Sequence, residues 1–175
     1  MRCFVAVDIP KDKTGPLVEA QKKLKYGEFR FAHDFHITLQ FLGDLDENQV
    51  ETVKEKLSGI RFKKFFLTFA GLGVFPSRKF VRVIWAGTHG EAIYELKHLV
   101  NDALQDFPNQ TKGTFVSHIT IARVKSAHAD KLENLINNIK LPDTAFEVSN
   151  FKLKRSMLTP RGPKYTDIEV YPLRE

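Results

Sequence analysis

Short stretches of alternating or continuous apolar residues recur along the chain, and each of them predicts a β-strand. Between these stretches, apolar residues recur every three or four positions, which is typical of helices that pack one face on a core. Predicted strands cover Cys3–Ile9, Phe35–Gly43, Lys64–Leu72, Phe80–Gly87, Phe115–Val124, Ala145–Leu158 and Tyr165–Leu173. Predicted helices begin near Thr14, at a capping box formed by Asp46 and Gln49, before the apolar stripe Ile93–Leu104, and at Ser126.

This order of elements is β-α-β-α-β, twice over, and the two copies share landmarks. The segments that contain His36 and His118 align with an offset of 82 residues, and the helices predicted near Asp46 and Ser126 begin 80 residues apart. Matching landmarks at nearly one offset indicate an internal duplication. We therefore expect one domain of two similar halves, approximately 1–75 and 76–175, joined by a Gly/Pro-containing linker at Gly73–Lys79.

Composition narrows the class of protein. The chain has 175 residues, 42% hydrophobic and 27% charged, which fits one globular domain and not a disordered chain. No apolar run approaches the roughly 20 residues of a membrane span. The one cysteine, Cys3, excludes an intramolecular disulfide framework, and the first residues lack a signal-peptide pattern, so we expect a reduced, cytoplasmic protein. The net charge of +6 fits a polyanionic partner and an ordinary solvated surface equally well.

The strongest functional signal is a repeated four-residue motif, His-Ile-Thr-Leu at 36–39 and His-Ile-Thr-Ile at 118–121. On a strand, alternate side chains share a face, so each histidine points to the same side as the threonine two residues later. If the halves pack about a pseudo-twofold axis, both His-Thr pairs face one cleft.

Two imidazoles in one cleft suit acid–base catalysis, because one can accept a proton while the other donates one. Across a phosphodiester, this pair would serve in-line displacement. Hydroxyl groups of Thr38 and Thr120 could bind the non-bridging oxygens, and the chemistry needs no metal. The alternative is a duplicated structural motif, since a single strand histidine usually packs or faces solvent. Two copies at corresponding places favour catalysis.

The sequence resembles the 2H phosphoesterase superfamily, which is defined by two such motifs. It is most similar to the RNA 2′,3′-cyclic phosphodiesterase branch, also called the 2′-5′ RNA ligase family. The resemblance covers nearly the whole chain and is carried by RCFVAVDIP, FHITLQFLGD, GVFPSRKFVRVIWAG, HITIARVK and LTPRGPKY. The paired motifs are moderately specific alone and strongly specific with these flanks.

The resemblance implies an α+β, bilobal fold with antiparallel-rich sheets that line a central, positively charged cleft, and with helices outside. It implies opening of a terminal 2′,3′-cyclic phosphate on RNA to a 2′-phosphomonoester without a cofactor. In this family the first histidine, here His36, is the proton donor and the second, here His118, the proton acceptor. The spacing does not distinguish these roles.

Arg123 lies five residues after His118, where family members commonly carry an arginine that contacts phosphate. Strict alternation would put Arg123 on the opposite face, so it must follow a bulge or the strand's end. Its counterpart in the first copy is Phe41, for which we expect core packing in preference to stacking on a base.

Other functions receive less support. The chain has no C-x-x-C, H-E-x-x-H or phosphate-loop pattern, so we expect no metal and no ATP-dependent chemistry. The alternative activity is ATP-independent 2′-5′ RNA ligation. A non-catalytic RNA-binding module is the alternative from another class, and the lack of an RNP1-type strand counts against it. The expected partner is an RNA end with a 2′,3′-cyclic phosphate or a related nucleotide, and the expected state is a monomer.

Overall fold

The computed structural model describes residues 1–111 and 113–174. Within these ranges nine strands form one curled, antiparallel sheet. The strands are β1 (Arg2–Asp8), β2 (Gly27–Phe31), β3 (His36–Asp44), β4 (Phe65–Ser77), β5 (Phe80–His89), β6 (His118–Ala127), β7 (Ala145–Val148), β8 (Asn150–Thr159) and β9 (Gly162–Pro172). The helices are α1 (Gly15–Lys22), α2 (Glu47–Ser58), α3 (Ala92–Ala103) and α4 (Ala129–Asn138), with a short 3₁₀ turn at Lys11–Lys13.

The two strands that carry the repeated motif meet at the centre of the sheet. The strand order is β7-β4-β5-β6-β3-β1-β8-β9, and β2 pairs with β6 outside this path. Strands β3 and β6 pair through Ile37 and Ile119. The predicted α+β class and the duplication are confirmed, with both halves sharing one sheet.

The halves are interlocked because each contributes a strand to the other. Strand β4 belongs to the first half by chain order but pairs with β5 of the second. Strand β8 belongs to the second half but pairs with β1 of the first. Each side of the sheet therefore contains backbone from both halves of the chain.

The core lies on one face of this sheet. The motif residues Ile37, Leu39, Ile119 and Ile121 are all fully buried. Apolar residues of the four helices join them in one cluster, so the helices cover this face and leave the opposite face for the motif's polar side chains. No helix among the described residues has the length and apolar character needed to cross a membrane.

The predicted capping box at the start of α2 is confirmed. The Gln49 amide donates to Asp46 Oδ1 at 2.8 Å, and the Asp46 amide donates to Gln49 Oε1 at 2.9 Å. These two bonds satisfy backbone donors that the first helical turn leaves free. The helix then buries Val50, Val53 and Leu57 on one stripe.

The predicted linker at Gly73–Lys79 is wrong for most of its length. Strand β4 continues to Ser77, so the connection to β5 is a tight turn at residues 78–79. The glycine and proline of this segment do not end β4. Gly73 leaves room for the ring of Trp85 on β5, and Pro76 lies where the register of β4 and β5 shifts.

Three further features of the secondary structure differ from the predictions. Strand β2 was not predicted, because its stability depends on pairing with the distant β6. Ser126 lies inside β6, and His128 is the N-cap of α4. The predicted long strand Ala145–Leu158 is interrupted at Ser149, and its two parts pair with different neighbours, β4 and β1.

Candidate active site

The pairing of β3 with β6 brings the two motifs together. Because Ile37 lies opposite Ile119 in an antiparallel pair, His36 is level with Thr120, and Thr38 is level with His118. All four polar side chains lie on the face opposite the buried isoleucines and are half-buried. The predicted sharing of a face by each histidine and its threonine is confirmed.

Both motif strands contain a β-bulge at the same place. On β3, Val5 pairs with Gln40 and Ala6 with Thr38, which leaves Leu39 without a partner on β1. On β6, the equivalent Ile121 has no partner on β5. Such an extra residue reverses the alternation of side chains beyond it.

The bulge returns Arg123 to the face of the two histidines. Arg123 is exposed and pairs with Val83. The equivalent bulge does the same for Phe41, so the expectation of core packing there is wrong: Phe41 is 43% exposed. Its ring lies 6.0 Å from that of Phe4, between centroids, on the same face.

Polar side chains from the helices hold both bulges. Gln21 of α1 donates through Nε2 to the carbonyl of Ile121 at 2.8 Å and to that of Ala32 at 2.8 Å. Lys97 of α3 donates to the carbonyl of Leu39 at 3.1 Å. Burial lowers the pKa of Lys97. The carbonyl at the equivalent bulge position of each copy thus has a side-chain donor on the core side of the sheet.

Each histidine lies between two aromatic rings. His36 contacts Tyr165 edge-on at 5.0 Å between ring centroids, and Phe4 at 5.3 Å. In the second copy, the ring of His118 is 5.0 Å from that of Phe75 and 5.9 Å from that of Trp85. These contacts restrict rotation of the imidazoles, so both rings are held before a substrate arrives.

Hydrogen bonding orients His118. Its Nδ1 lies 2.7 Å from the carbonyl oxygen of Val116, and because a carbonyl can only accept, Nδ1 carries the proton. The neutral ring then presents an unprotonated Nε2. Burial lowers the pKa of His118, and the bond to Val116 opposes that effect only in part.

The surroundings of His36 are charged. Burial is the main cause that lowers the pKa of His36 to about 4, and the positive charge of Lys154 acts in the same direction. The carboxylates of Asp8 and Asp34 and the carbonyl of Asp34 act in the other direction and raise the pKa of His36. Nδ1 of His36 is buried and has no partner in hydrogen-bonding geometry among the described residues. Free His36 is therefore neutral at pH 7.

A closed set of four charges lies beside His36. Lys154 Nζ donates to Asp8 at 2.9 Å and to Asp167 at 2.8 Å, while Lys152 Nζ is 2.8 Å and 2.7 Å from the same two carboxylates. Burial alone would raise the pKa of Asp167, but the hydrogen bonds from both lysines lower it. The side chain of Lys154 is only 7% exposed, so this network is a fixed part of the site's wall.

The two copies therefore differ in their electrostatics. Asp8 pairs with His36 across β1 and β3, whereas Gly87 occupies the corresponding position beside His118. A carboxylate favours the charged form of a neighbouring imidazole, and a glycine has no such effect.

Sequence reasoning missed most of these supporting residues. They are far from the motifs along the chain: Gln21, Lys97, Trp85, Tyr165 and Lys154. A weak signal existed for Lys154, because Lys152 and Lys154 alternate with apolar residues on a predicted strand and so share a face. Among the described residues, no group of three or more His, Cys, Asp and Glu side chains could hold a metal ion.

Comparison with known proteins identifies similar chains. The family described as "LigT like Phosphoesterase" matches twice, over residues 7–85 and 87–165. A protein of Archaeoglobus fulgidus named RNA 2′,3′-cyclic phosphodiesterase is 31% identical, over 98% of this chain and 99% of its own. A protein of the same name from Thermotoga maritima is 34% identical, over 94% of this chain and 91% of its own.

Solved structures share the fold. The protein TT0787 of Thermus thermophilus superposes with a TM-score of 0.86 at 28% identity, covering 99% of this chain and 98% of that one. The match extends over both halves and includes the strands that carry the two motifs.

Proposed function

Because the chain belongs to the LigT like phosphoesterase family, we propose that it is an RNA 2′,3′-cyclic phosphodiesterase that opens the cyclic phosphate to a 2′-phosphomonoester. The observation that carries the proposal is the antiparallel register of β3 and β6, which sets two His-Thr pairs on one face. The curated relatives that match over nearly their full length carry this name.

In the proposed reaction, His118 acts as the general base. Its Nε2 takes a proton from water, and the water oxygen forms a bond to phosphorus. The bond from phosphorus to the 3′ oxygen breaks, and His36 donates a proton to that oxygen. The 2′ oxygen keeps the phosphate, so the products are a 3′-hydroxyl and a 2′-phosphomonoester.

The threonines and Arg123 serve the phosphate in this scheme. Thr38 and Thr120 donate hydroxyl hydrogen bonds to the non-bridging oxygens, where negative charge increases in the transition state. Arg123 supplies a guanidinium whose donors match two phosphate oxygens. Its exposure leaves it free to do so. The scheme uses no metal and no cofactor.

The assignment of donor and acceptor is supported by the asymmetry of the copies. The proton on Nδ1 of His118 leaves Nε2 as a lone-pair acceptor, which suits a base. Asp8 beside His36 favours the imidazolium form, which suits an acid. Since the pKa of His36 is about 4 in the protein without substrate, His36 must gain its proton as the anionic phosphate binds.

We further propose that the chain works as one domain, with halves near 1–75 and 76–175, and as a cytoplasmic monomer. The exchange of β4 and β8 supports the single domain, because neither half contains all the strands of its own side. The buried, free thiol of Cys3 is compatible with a reducing compartment. The partner in this proposal is the cyclic-phosphate end of an RNA.

The test is turnover of a short RNA that ends in a 2′,3′-cyclic phosphate, in the presence of EDTA, with identification of the product. His36→Ala and His118→Ala should each lower kcat by roughly 10²- to 10⁴-fold, because each removes a proton transfer. Thr38→Val and Thr120→Val should lower it less. His98→Ala is the matched control, since His98 lies exposed on α3 and pairs there with Asp102.

Full activity of either motif-histidine variant would refute the two-histidine mechanism. Loss of activity with EDTA and recovery with zinc or magnesium would refute the metal-independent scheme. A 2′-5′ linked product formed from a second RNA would identify ligation as the activity. Retained RNA binding without any turnover by the parent protein would instead identify a binding module.

A further inference from the structure

Arg30 lies directly beside Arg123 although the two are far apart in sequence. Strand β2 pairs with β6 in an antiparallel register that sets Arg30 opposite Arg123. Residues opposite each other on neighbouring strands share a face of the sheet. Since the bulge places Arg123 on the face of the histidines, Arg30 is on that face too.

Two like charges at this separation cost stability unless something compensates for them. Directly opposite residues have Cβ atoms about 5 Å apart, and like charges in such a pair are destabilising. Both arginines are exposed, and neither forms an ion pair with a carboxylate among the described residues. The pair is therefore open to an anion from outside the chain.

The position of the pair relative to the catalytic residues follows from the strand directions. Strand β6 runs antiparallel to β3, so Arg123 lies beyond the His36 end of the site. Burial raises the pKa of Tyr165, which contacts His36, and the nearby charge of Arg123 opposes that rise. Both arginines thus lie on the side where the leaving oxygen would receive its proton.

The turn between β8 and β9 restricts where the side chain of Arg30 can lie. A Cβ at Gly162 would be 3.4 Å from Arg30 Cδ, so the stem of the arginine packs beside that turn. Gly162 has a φ of +114°, a conformation that other residues rarely adopt. The side chain of Arg30 therefore lies beside the β8–β9 turn, on a strand that pairs with β6.

We propose that Arg30 binds the phosphodiester on the 5′ side of the terminal nucleotide, next to the cyclic phosphate that Arg123 serves. The inference rests on the proposed function and extends it. An RNA end has this second phosphate, and a free 2′,3′-cyclic mononucleotide lacks it. The enzyme would thereby prefer RNA ends to free cyclic nucleotides through a charge contact that reads no base.

The experiment compares three substrates: a ribotrinucleotide with a 2′,3′-cyclic phosphate, the same molecule with a neutral methylphosphonate at the last linkage, and adenosine 2′,3′-cyclic phosphate. Arg30→Gln should lower kcat/KM on the trinucleotide roughly tenfold to a hundredfold, because a charge-assisted hydrogen bond is lost. It should leave the mononucleotide unchanged. The methylphosphonate should cost the parent protein a similar factor and cost Arg30→Gln nothing more.

Arg61→Gln is the matched control, because Arg61 is exposed, follows α2 and donates to backbone carbonyls there. Arg30→Lys should recover part of the loss, since a lysine keeps the charge without the paired donors. The slope of log K against log salt for the trinucleotide should become shallower by about 0.7 in Arg30→Gln, as expected for one contact to a single strand.

Equal losses on all three substrates, or additive effects of Arg30→Gln and the methylphosphonate, would overturn the inference while leaving the proposed function intact. The same comparison is made by equilibrium binding of trinucleotides that end in a 2′-phosphate. That measurement needs no turnover, so it tests Arg30 even if the parent protein hydrolyses no cyclic phosphate.

Discussion

Replacing Gly73 by alanine should disturb catalysis through the ring of Trp85. A Cβ at Gly73 would lie less than 3.0 Å from Cζ2, Cη2 and Cε2 of that ring. Carbon atoms pack best at about 3.5–4.0 Å, so the ring must retreat by about 1 Å. Since Trp85 packs against His118 and Phe75, the retreat moves the ring that holds the base.

The size of both effects follows from that displacement. Overpacking of this kind costs about 1–3 kcal/mol of stability. A misplacement of about 1 Å at a catalytic group can lower the rate by about 10²-fold. We therefore expect Gly73→Ala to lower kcat strongly, to lower the free energy of unfolding moderately, and to leave the rest of the fold in place.

The assay uses the fact that Trp85 is the chain's single tryptophan. Its fluorescence emission reports the displacement directly, urea unfolding gives the stability, and turnover of a cyclic-phosphate RNA gives kcat. Gly71→Ala is the control on the same strand, since a Cβ there meets nothing within 4 Å. If both variants matched in emission, stability and kcat, the contact between Gly73 and Trp85 would not support His118.

Three further predictions concern the groups around the histidines. Because burial lowers the pKa of His36 to about 4 and also lowers that of His118, kcat/KM should peak below pH 6.5. The maximum of kcat should lie at higher pH, because the bound phosphate favours imidazolium. A kcat/KM maximum above pH 7 would contradict this. Lys154→Met should raise the pKa of His36, measured by NMR titration, because the variant removes a nearby positive charge. It should also cost about 1–3 kcal/mol in urea unfolding, because the charged hydrogen bonds to Asp8 and Asp167 are lost. An unchanged titration would show that Lys154 does not act on His36. Gln21→Leu should lower the free energy of unfolding by about 1–3 kcal/mol in the same assay, since two carbonyls lose a donor. It should also lower kcat/KM, because the bulge before Arg123 loosens. An unchanged kcat/KM would show that this bulge does not affect activity.

The parts of this protein that the sequence predicts are those encoded locally. The capping box at Asp46 and Gln49 depends on four consecutive residues, and the alternation in each motif depends on five or six. The duplication could be seen because the motif repeats at a nearly constant offset. From these the α+β class and the shared face of the His-Thr pairs followed, and so did the need for a bulge or a strand end before Arg123.

The parts that could not be predicted depend on pairing between distant segments. Strand β2 is too short and too polar to be recognised without β6 beside it, and so Arg30 gave no signal. The burial of Phe41 was predicted wrongly, because the apolar Leu39 and Leu42 near it suggest a core strand, and the bulge that turns Phe41 outward has no signature of its own. Gln21 and Lys97 look like ordinary helix residues until the carbonyls they bind are located.

The exchange of β4 and β8 is the arrangement expected of a chain that arose by fusion of two copies of one repeat. Two copies of a single repeat that exchanged their third strands would form a twofold-symmetric homodimer. Its axis would pass between Ile37 and Ile119, and its one shared site would contain two equivalent histidines. Neither copy could then function alone, and any substitution would change both sides at once. Joining the copies into one polypeptide removes that restriction. The first copy has Asp8 where the second has Gly87, and the second has Arg123 where the first has Phe41. Only a fused chain can hold such differences, and they make the two ends of the site unlike.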